Sequence, residues 1–504
     1  MNAALLPLLV GLPFLGALLV LFAPLGDRSL RRLAMLFALA TAVVGGFVFC
    51  CFEGNASGFQ FGFAADWFTL PGGGTTRLAL GVDGLSVLMV TLSALLVPIV
   101  LVTAPGHVHK RIREFLFWVL LMEAGMLGVF LALDLVLFYV FWELSLIPLY
   151  FLVGIWGGEN RIYATIKFVL YTLVGSLVML VGLIRVALAA GTTSIDELVV
   201  GNLPEPVQHF AFACFALGFL IKVPVVPFHT WLPDAHVQAP TGGSVILAGV
   251  MLKMGTYGLM RFGLQVLPAG AAAWGPWLAA IGVIGVIYGS LLAWAQRDIK
   301  KLVAYSSVAH LGFVVLGVFA FTEISLQGAV LQGVNHGIST GALFLLVGVL
   351  YDRMHTRRLT DFGGLARTFP AFAVLLIVST LASIGLPGTN GFVGEFLILF
   401  GSFAERPWMT AIAAVGVVLG AVYMLGMCRE VLFGRVTNPA CEKLEPLKPR
   451  EWAALLPLVA LMLWIGLWPA PLLDRTRVVC AEMAARIEPW LDGEEQAALP
   501  REPR

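Results

Sequence analysis

The sequence predicts an all-α polytopic membrane protein with about fourteen transmembrane helices, two of them discontinuous. Composition is the first observation, because 59% of the 504 residues are hydrophobic, 12% are charged and the mean hydropathy is +0.93. The second is that apolar runs of about 18 residues or more recur along the chain. The third is that basic residues recur in alternate loops. An ordinary soluble globular fold is therefore excluded.

The apolar runs between charged or Pro/Gly-rich segments give the positions of the predicted spans. The first run has no basic residues before it and no clear cleavage site after it, so it is predicted to be a retained helix rather than a signal peptide. The spans lie near residues 3–23, 33–52, 79–104, 114–132, 135–155, 168–190, 209–236, 243–262, 275–296, 302–321, 325–350, 370–402, 408–430 and 452–473.

Basic residues predict the orientation of these spans through the positive-inside rule. One set of alternating loops is rich in Lys and Arg, as at Arg297, Lys300 and Lys301. The loop after the sixth span instead carries Asp196 and Glu197 and no basic residue. The basic loops are therefore expected to face the cytoplasm, with both termini on the periplasmic side of a bacterial cytoplasmic (inner) membrane.

Two predicted spans are longer than a membrane requires and carry helix breakers near their middles. The seventh, near 209–236, contains Pro224 and Pro227, and the twelfth, near 370–402, contains the Gly- and Pro-rich segment 385–391. Proline removes a backbone donor and leaves carbonyls unpaired, which hydrocarbon tolerates only inside protein or beside a watery cavity. Helices 7 and 12 are therefore predicted to be discontinuous.

The two breaks are five spans apart, so the two broken helices run in opposite directions across the membrane. This spacing is typical of an inverted repeat of five-helix units, and two unrelated proline kinks are the alternative. The predicted organisation is an N-terminal three-helix segment, a five-helix repeat of helices 4–8, an inverted repeat of helices 9–13, and a C-terminal helix with a short polar tail. These segments cover residues 1–113, 114–262, 263–435 and 436–504.

Six ionisable residues fall inside apolar spans at similar depths. Lys222 lies about 12 residues into the seventh run, roughly 18 Å deep at 1.5 Å per residue. Inserting a charge there costs about 2.5–3.5 kcal/mol on translocon scales, so such a residue indicates function. The set is expected to form one layer along the membrane plane, at depths of roughly 12 to 18 Å. Its members are Glu143, Lys222, Lys253, His310, His336 and Glu395.

These residue types suit a proton relay. Burial disfavours the charged form of a lysine and a nearby carboxylate favours it, so a lysine that gains and loses a carboxylate neighbour has a switchable proton affinity. Glu143 and Lys222 are predicted to form such a pair. Lys253 and the two histidines would pass the proton laterally, with Glu395 as the exit or coupling carboxylate. A structural buried ion pair and core histidines bonded to backbone carbonyls are the alternatives.

Three further residues are weaker candidates for the relay. Glu123 can equally serve helix packing, and His229 and Asp234 follow the first prolines of the seventh span. No cofactor or metal site is predicted in this chain, because the six cysteines show no CxxC spacing and no G-x-G-x-x-G follows a strand-like run. The net charge of +1 gives no indication of a nucleic-acid partner, and the lipid bilayer is the expected surrounding.

Over nearly its whole length the chain resembles the antiporter-like subunits of proton-pumping NADH:quinone oxidoreductase (respiratory complex I) and their relatives in multisubunit cation/proton antiporters. The most specific stretches are residues 141–143, 222–236, 298–312 and 388–396. The last stretch distinguishes the branches. The branch of subunit M (chain 4) carries a glutamate in the broken twelfth helix, like Glu395, whereas L-like, N-like and antiporter members usually carry a lysine.

The resemblance implies a fourteen-helix subunit of the membrane arm that forms one proton channel and holds no redox centre. Flavin, iron–sulfur clusters and quinone would belong to partner subunits, which would include antiporter-like subunits of the L and N types. The implied pathway joins the Glu143 and Lys222 pair, through Lys253 and the two histidines, to Glu395. Electron transfer elsewhere would drive it by changing the distance between Lys222 and Glu143.

Three other functions compete with this interpretation. A subunit of a multisubunit cation/proton antiporter, exchanging Na⁺ or K⁺ for H⁺, is the main alternative, and Glu395 argues against it. A structural spacer that has lost pumping is another, but Glu143, Lys222 and Lys253 each carry an insertion cost that a spacer has no reason to keep. The third is a subunit of a membrane-bound hydrogenase or a photosynthetic-type complex, which the sequence does not distinguish from a subunit of respiratory complex I.

Overall fold

The computed structural model describes residues 4–69, 75–106, 108–201, 203–436 and 438–491. Within these ranges, 12 helices are long and apolar enough to cross a membrane, and the broken seventh and twelfth spans complete the predicted set of fourteen. The polytopic helical fold is therefore confirmed. Most of the predicted polar tail lies outside the described residues.

The long helices follow the predicted order. They are Leu5–Phe22, Asp27–Cys51, Ser86–Thr103, Ile112–Leu131, Leu135–Trp156, Arg161–Ala190, Thr241–Leu264, Pro268–Trp294, Ile299–Val318, Glu323–Met354, Pro407–Leu432 and Pro449–Leu467. The seventh span consists of Glu205–Lys222 and Trp231–Gln238, and the twelfth of Pro370–Ser383 and Asn390–Phe403. Short helical segments are Ala104–Gly106, Ile195–Val200, Leu359–Asp361, Leu365–Thr368 and Pro439–Lys443.

The core lies around the eighth and eleventh spans. All residues of their most apolar windows are buried, whereas only 33% of the corresponding window of the sixth span is buried. Side chains such as Leu170, Val174 and Val181 of the sixth span are exposed apolar groups, as expected for a surface that faces lipid. The polar candidates of the eighth and eleventh spans therefore lie in the protein interior.

A β-hairpin between the second and third spans is an element that the sequence analysis did not predict. Gln60–Thr69 (β1) pairs antiparallel with Thr75–Val82 (β2). The third predicted span began at residue 79 because the apolar end of β2 runs into the apolar helix after it, although that helix begins only at Ser86. Hydropathy alone does not distinguish a short apolar strand from the first turns of a helix.

A second correction concerns the segment after the fourteenth span. The predicted span near 452–473 ends at Leu467, and a separate helix, Ala470–Leu491, follows Pro469. This helix packs on Glu323–Met354 and Pro268–Trp294. Charged residues on one face lower the average hydropathy of this segment, so an apolar-run search does not find it. Its apolar residues recur at helical spacing and are buried. The buried residues are Leu472, Thr476, Val479, Cys480, Met483 and Ile487.

The seventh span is broken where the prolines predict. Its first half ends at Lys222 and its second half begins at Trp231. Pro224 and Pro227 cannot donate to the preceding turn. The indole Nε1 of Trp231 donates to the carbonyl of Ile221 at 3.0 Å, which satisfies one of the carbonyls freed by the break.

The twelfth span is broken by glycines. Gly385 and Gly388 adopt φ values of +74° and +91°, which residues with a Cβ rarely adopt. At Gly391 a Cβ would lie 2.0 Å from the carbonyl oxygen of Ala382, so the two half-helices approach each other more closely than any other residue allows.

Two matched helix starts support the predicted repeat. Asp134 caps the fifth span and forms an antiparallel bridge with Ser194, after the sixth span. Asp298 caps the tenth span and forms the same bridge with Arg358, after the eleventh span. The inverted repeat and the four-part division of the chain remain predictions.

The close approach at the twelfth break gives a first test. Gly391→Ala should destabilise the subunit by about 1–3 kcal/mol, because backbone atoms must move to admit the methyl group. Gly426→Ala is the matched control, since no atom lies within 4 Å of a Cβ at this helical position. Thermal unfolding of the purified assembly measures both, and equal midpoints for the two variants would contradict the described break.

Candidate functional site

Lys253 lies at the centre of the site. It is fully buried in the eighth span, on an α-helical segment, Leu252–Gly258, between two π-helical turns at Leu247–Met251 and Leu259–Leu264. Such turns are rare and often mark functional positions. The Lys253 ammonium donates to the carbonyl of Ala248 and lies 2.6 Å from Nδ1 of His336.

His336, His310 and Glu395 continue the line from Lys253. The rings of the two histidines are 5.8 Å apart between centroids. Nδ1 of His310 lies 2.9 Å from Oε1 of Glu395, and the amide of Gln332 donates to the same oxygen at 3.0 Å. The hydroxyl of Ser383 lies 3.3 Å from Nε2 of His310. Four of the six predicted residues therefore lie in one series, which consists of two hydrogen-bonded pairs separated by the gap between the two histidines.

The twelfth break positions Glu395. A Cβ at Gly385 would lie 3.1 Å from Oε2 of Glu395, so the carboxylate packs directly against the broken segment. Asn335 donates to the carbonyl of Asn390 at 2.6 Å, and Asn390 donates to the carbonyl of Asn335 at 3.2 Å. This reciprocal pair fixes the second half-helix to the eleventh span, which also carries His336.

Glu143 and Lys222 do not form a direct ion pair. The Lys222 ammonium lies 5.1 Å from the ring centroid of Trp142, the residue before Glu143. Glu143 still acts electrostatically on Lys222, and among the described residues its Oε1 has no hydrogen-bond partner. The two groups are therefore neighbours without a bond, and nothing in the described contacts joins this pair to Lys253.

The three weaker candidates have different surroundings. Glu123 is fully buried, and neither of its carboxylate oxygens has a hydrogen-bond partner in the described part of the chain. His229 lies in the seventh break, with its ring 5.7 Å from that of Tyr288. Asp234 forms an ion pair with Lys167 at 2.7 Å. Lys167 was not predicted as a buried charge, because it lies one residue before the predicted start of the sixth span.

Two further buried groups were not singled out from the sequence. His236 stacks on Phe344 with a centroid distance of 4.5 Å, and neither ring nitrogen finds a partner among the described atoms. It interacts electrostatically with both Lys253 and Lys300. The Lys300 ammonium donates to the carbonyl of Ala239 at 2.7 Å. His236 belongs to a motif that was noted, but its position between two lysines depends on the fold.

Two polar cavities lie near the ends of the eighth span. The Lys300 cavity, of about 360 Å³, is lined by Thr241 at the start of this span and by Lys300. The Asp83 cavity, of about 370 Å³, is lined by Gln265 just after its end and by Asp83. Within the described ranges, no group of three or more His, Cys, Asp or Glu residues is placed to hold a metal ion.

Comparison with known proteins gives the family. A family model described as NADH:quinone oxidoreductase/Mrp antiporter, TM, matches residues 132–420, which contain all six predicted relay residues. NADH-quinone oxidoreductase subunit M of Rhodobacter capsulatus is 43% identical over 464 residues, which cover 90% of each chain. The chain belongs to this family.

Further members of the NADH:quinone oxidoreductase/Mrp antiporter family agree. NADH-ubiquinone oxidoreductase chain 4 of Prototheca wickerhamii is 38% identical over 487 residues, covering 94% of this chain and 93% of the relative. A chain in the structure of respiratory complex I from Thermus thermophilus with bound NADH is 33% identical and aligns with a TM-score of 0.87 over 97% of this chain and all of that chain. The predicted resemblance to subunit M is confirmed.

The Mrp branch of the family shares the fold. A chain of the Mrp complex from Dietzia sp. DQ12-45-1b is 22% identical and aligns with a TM-score of 0.85, covering 97% of this chain and 99% of that chain. At this identity the likeness concerns the fold alone.

The Lys167–Asp234 pair gives a second test. If Asp234 has a structural role, Asp234→Asn and Lys167→Met should each lower the free energy of unfolding by up to about 1 kcal/mol, because solvent reaches both side chains and weakens their attraction. The double variant should lose no more stability than either single variant. Thermal unfolding checks this, with the exposed Glu159→Gln as control. A loss of proton translocation in Asp234→Asn without a loss of stability would instead assign Asp234 to the relay.

Proposed function

We propose that this chain is a proton-translocating membrane-arm subunit of an NADH:quinone oxidoreductase. The observation that supports it most directly is the series of Lys253, His336, His310 and Glu395, two hydrogen-bonded pairs with neighbouring histidine rings, inside the membrane-spanning region. Family membership supports the same assignment, since its relatives include subunit M and chain 4 proteins of such oxidoreductases.

The residues have distinct proposed roles. Lys253 is the central group, because its amine lies within hydrogen-bond distance of His336 and is removed from solvent. The two histidines are intermediates, because an imidazole can accept a proton on one ring nitrogen and donate one from the other. Glu395 is the terminal group, oriented by Gln332 and His310.

Proton transfer along this series occurs in short steps. The contacts at either end are hydrogen-bond distances of 2.6 and 2.9 Å. The ring centroids of His336 and His310 are 5.8 Å apart and both nitrogens of His310 have protein partners, so this step needs a rotation of a side chain or a bridging water. Gln332, which donates to Glu395, and Asn335, the residue before His336, each have a buried amide oxygen without a partner among the described residues that could accept a hydrogen bond from such a water.

Glu143 and Lys222 are proposed as the switch that controls the series. They are close enough to interact electrostatically but are not bonded, so a small movement of the broken seventh span changes their interaction. When the carboxylate approaches, it holds a proton on Lys222, and when it withdraws, the buried lysine releases the proton.

The redox centres and the quinone site are proposed to lie in other subunits. This chain carries the proton path, while flavin, iron–sulfur clusters and quinone are held by partners, among them membrane-arm subunits of the L and N types. The subunit is proposed to lie in the bacterial inner membrane with both termini on the periplasmic side, as the distribution of basic loops indicates.

Removing the central amine tests this proposal. In Lys253→Met, and likewise in Lys222→Ala, we expect proton transfer through this subunit to slow by about 10²-fold or more, because a positioned acid–base group is lost. The measurement is NADH-driven acidification of inverted membrane vesicles, scaled to NADH oxidation. The exposed Lys443→Ala is the control.

The outcome is interpretable only where the complex assembles. Recovery of each variant with its flavin- and iron–sulfur-containing partners in mild detergent establishes this point. A normal ratio of protons to electrons in assembled Lys253→Met would remove Lys253 from the mechanism, and the same result for Lys222→Ala would remove the proposed switch.

Cation dependence separates the proposal from cation/proton exchange. NADH-driven acidification should be unchanged, within experimental error, when K⁺ replaces all Na⁺ and when choline replaces both, because the relay contains only proton-exchanging groups. Recovery of the tagged chain without redox partners, together with Na⁺- or K⁺-dependent proton movement, would favour the antiporter.

A further inference from the structure

Lys253 lies midway between the two polar cavities. Thr241, which lines the Lys300 cavity, and Gln265, which lines the Asp83 cavity, are each twelve residues from Lys253 along the eighth span. This separation corresponds to about 18 Å in each direction. A central relay group that exchanged protons with both cavities would let protons flow back down their gradient, so one of the two routes has to be closed.

A buried ion pair lies on the route to the Asp83 cavity. Arg261 has no exposed surface, and its Nη2 lies 2.6 Å from Oδ1 of Asp83. Its Nε donates to the hydroxyl of Tyr257 at 3.1 Å, and its Nη1 donates to Oε1 of Gln265 at 2.7 Å. The guanidinium is therefore held by side chains on three sides.

The pair lies between Lys253 and the cavity. Tyr257, Arg261 and Gln265 follow Lys253 at intervals of four residues along the eighth span. Arg261 is about 12 Å further along the span than Lys253. Asp83 and Gln265 line the cavity whereas Arg261 does not, so the guanidinium lies behind the carboxylate, on the side of Lys253.

The two routes differ in the chemistry of their groups. Towards the Lys300 cavity, Lys253 has as an electrostatic neighbour His236, an imidazole with two unpartnered nitrogens. An imidazole can accept a proton on one ring nitrogen and donate one from the other. A guanidinium keeps its proton at any physiological pH, and its fixed positive charge repels an approaching proton. The route through Arg261 is therefore blocked both chemically and electrostatically.

We propose that the Arg261–Asp83 pair is an electrostatic seal that closes the direct route between Lys253 and the Asp83 cavity, so that protons leave Lys253 laterally through His336. This inference rests on the proposed function of Lys253 as a proton relay. Asp83 keeps the guanidinium in place and stabilises a permanently buried cation at this depth, while the guanidinium, on the side of Lys253, presents the positive end of the pair to an approaching proton.

The pair also has a structural contribution that the test must separate. Asp83 accepts a hydrogen bond from the backbone N–H of Ser86 at 3.0 Å, at the start of the third span. Arg353 and Glu451 form a comparable buried pair at 2.8 Å, which joins the eleventh span to the fourteenth. Arg353→Gln is therefore the matched control, since it also removes one cation from a buried pair but leaves the eighth span intact.

The test is the passive proton permeability of the intact complex in proteoliposomes. A pH gradient is imposed without NADH, the membrane potential is clamped with K⁺ and valinomycin, and the decay of the gradient is followed. Arg261→Gln should accelerate this decay about tenfold. This is the rate factor expected when a unit charge about 12 Å from the moving proton is removed, at an effective dielectric constant near 20. The double variant Arg261→Gln/Asp83→Asn leaves no unpaired carboxylate, keeps an acceptor for Ser86, and should change the decay in the same direction.

A further variant shows whether the leak uses the proposed path. Adding Lys253→Met to Arg261→Gln should restore a slow decay. Unchanged decay in assembled Arg261→Gln and in the double variant would overturn the seal, and so would an equal acceleration in Arg353→Gln, since that would indicate general loosening. Failure of the proposed function has a different signature, namely normal NADH-driven pumping by Lys253→Met.

Discussion

A primary amine with no exposed surface needs partners inside the protein, and the position of Lys253 imposes this requirement on the centre of the fold. The carbonyl of Ala248 and the imidazole of His336 meet it. Ala248 lies on the eighth span itself, whereas His336 lies on the eleventh, so the second partner requires these two spans to pack closely. They do so through glycines, since a Cβ at Gly337 would lie 2.7 Å from the carbonyl oxygen of Gly249. The site thus depends on a helix contact that only very small residues permit.

The two broken spans serve the buried charges in different ways. Lys222 is the last residue of its half-helix, where the negative end of the helix dipole and the freed carbonyls favour a cation. Glu395 instead lies in the second turn of a half-helix, and its position is set by Gly385, Gln332 and His310. Prolines break the seventh span and free carbonyls near Lys222. Glycines in the twelfth break allow the backbone to lie close to the carboxylate of Glu395.

Fixed and exchangeable charges are separated in the interior. Buried arginines are paired with carboxylates, as in Arg261 with Asp83 and Arg353 with Glu451. The proposed relay consists of lysine, histidine and glutamate, whose protonation states can change. Because an arginine remains charged under all physiological conditions, its placement limits where a mobile proton can go. In the proposed mechanism, the direction of proton flow therefore depends on the arginines as well as on the relay residues.

The sequence by itself determined the membrane class, the fourteen spans, the two breaks and the identity of the candidate relay residues, because hydropathy, proline and glycine content and buried charge are local properties. Tertiary structure decided the pairings. His336 is 83 residues from its partner Lys253, and Glu395 is 85 from His310, so no spacing rule reveals either contact. The β-hairpin and the helix Ala470–Leu491 were missed because their apolar residues become distinctive only when a neighbouring element covers one face.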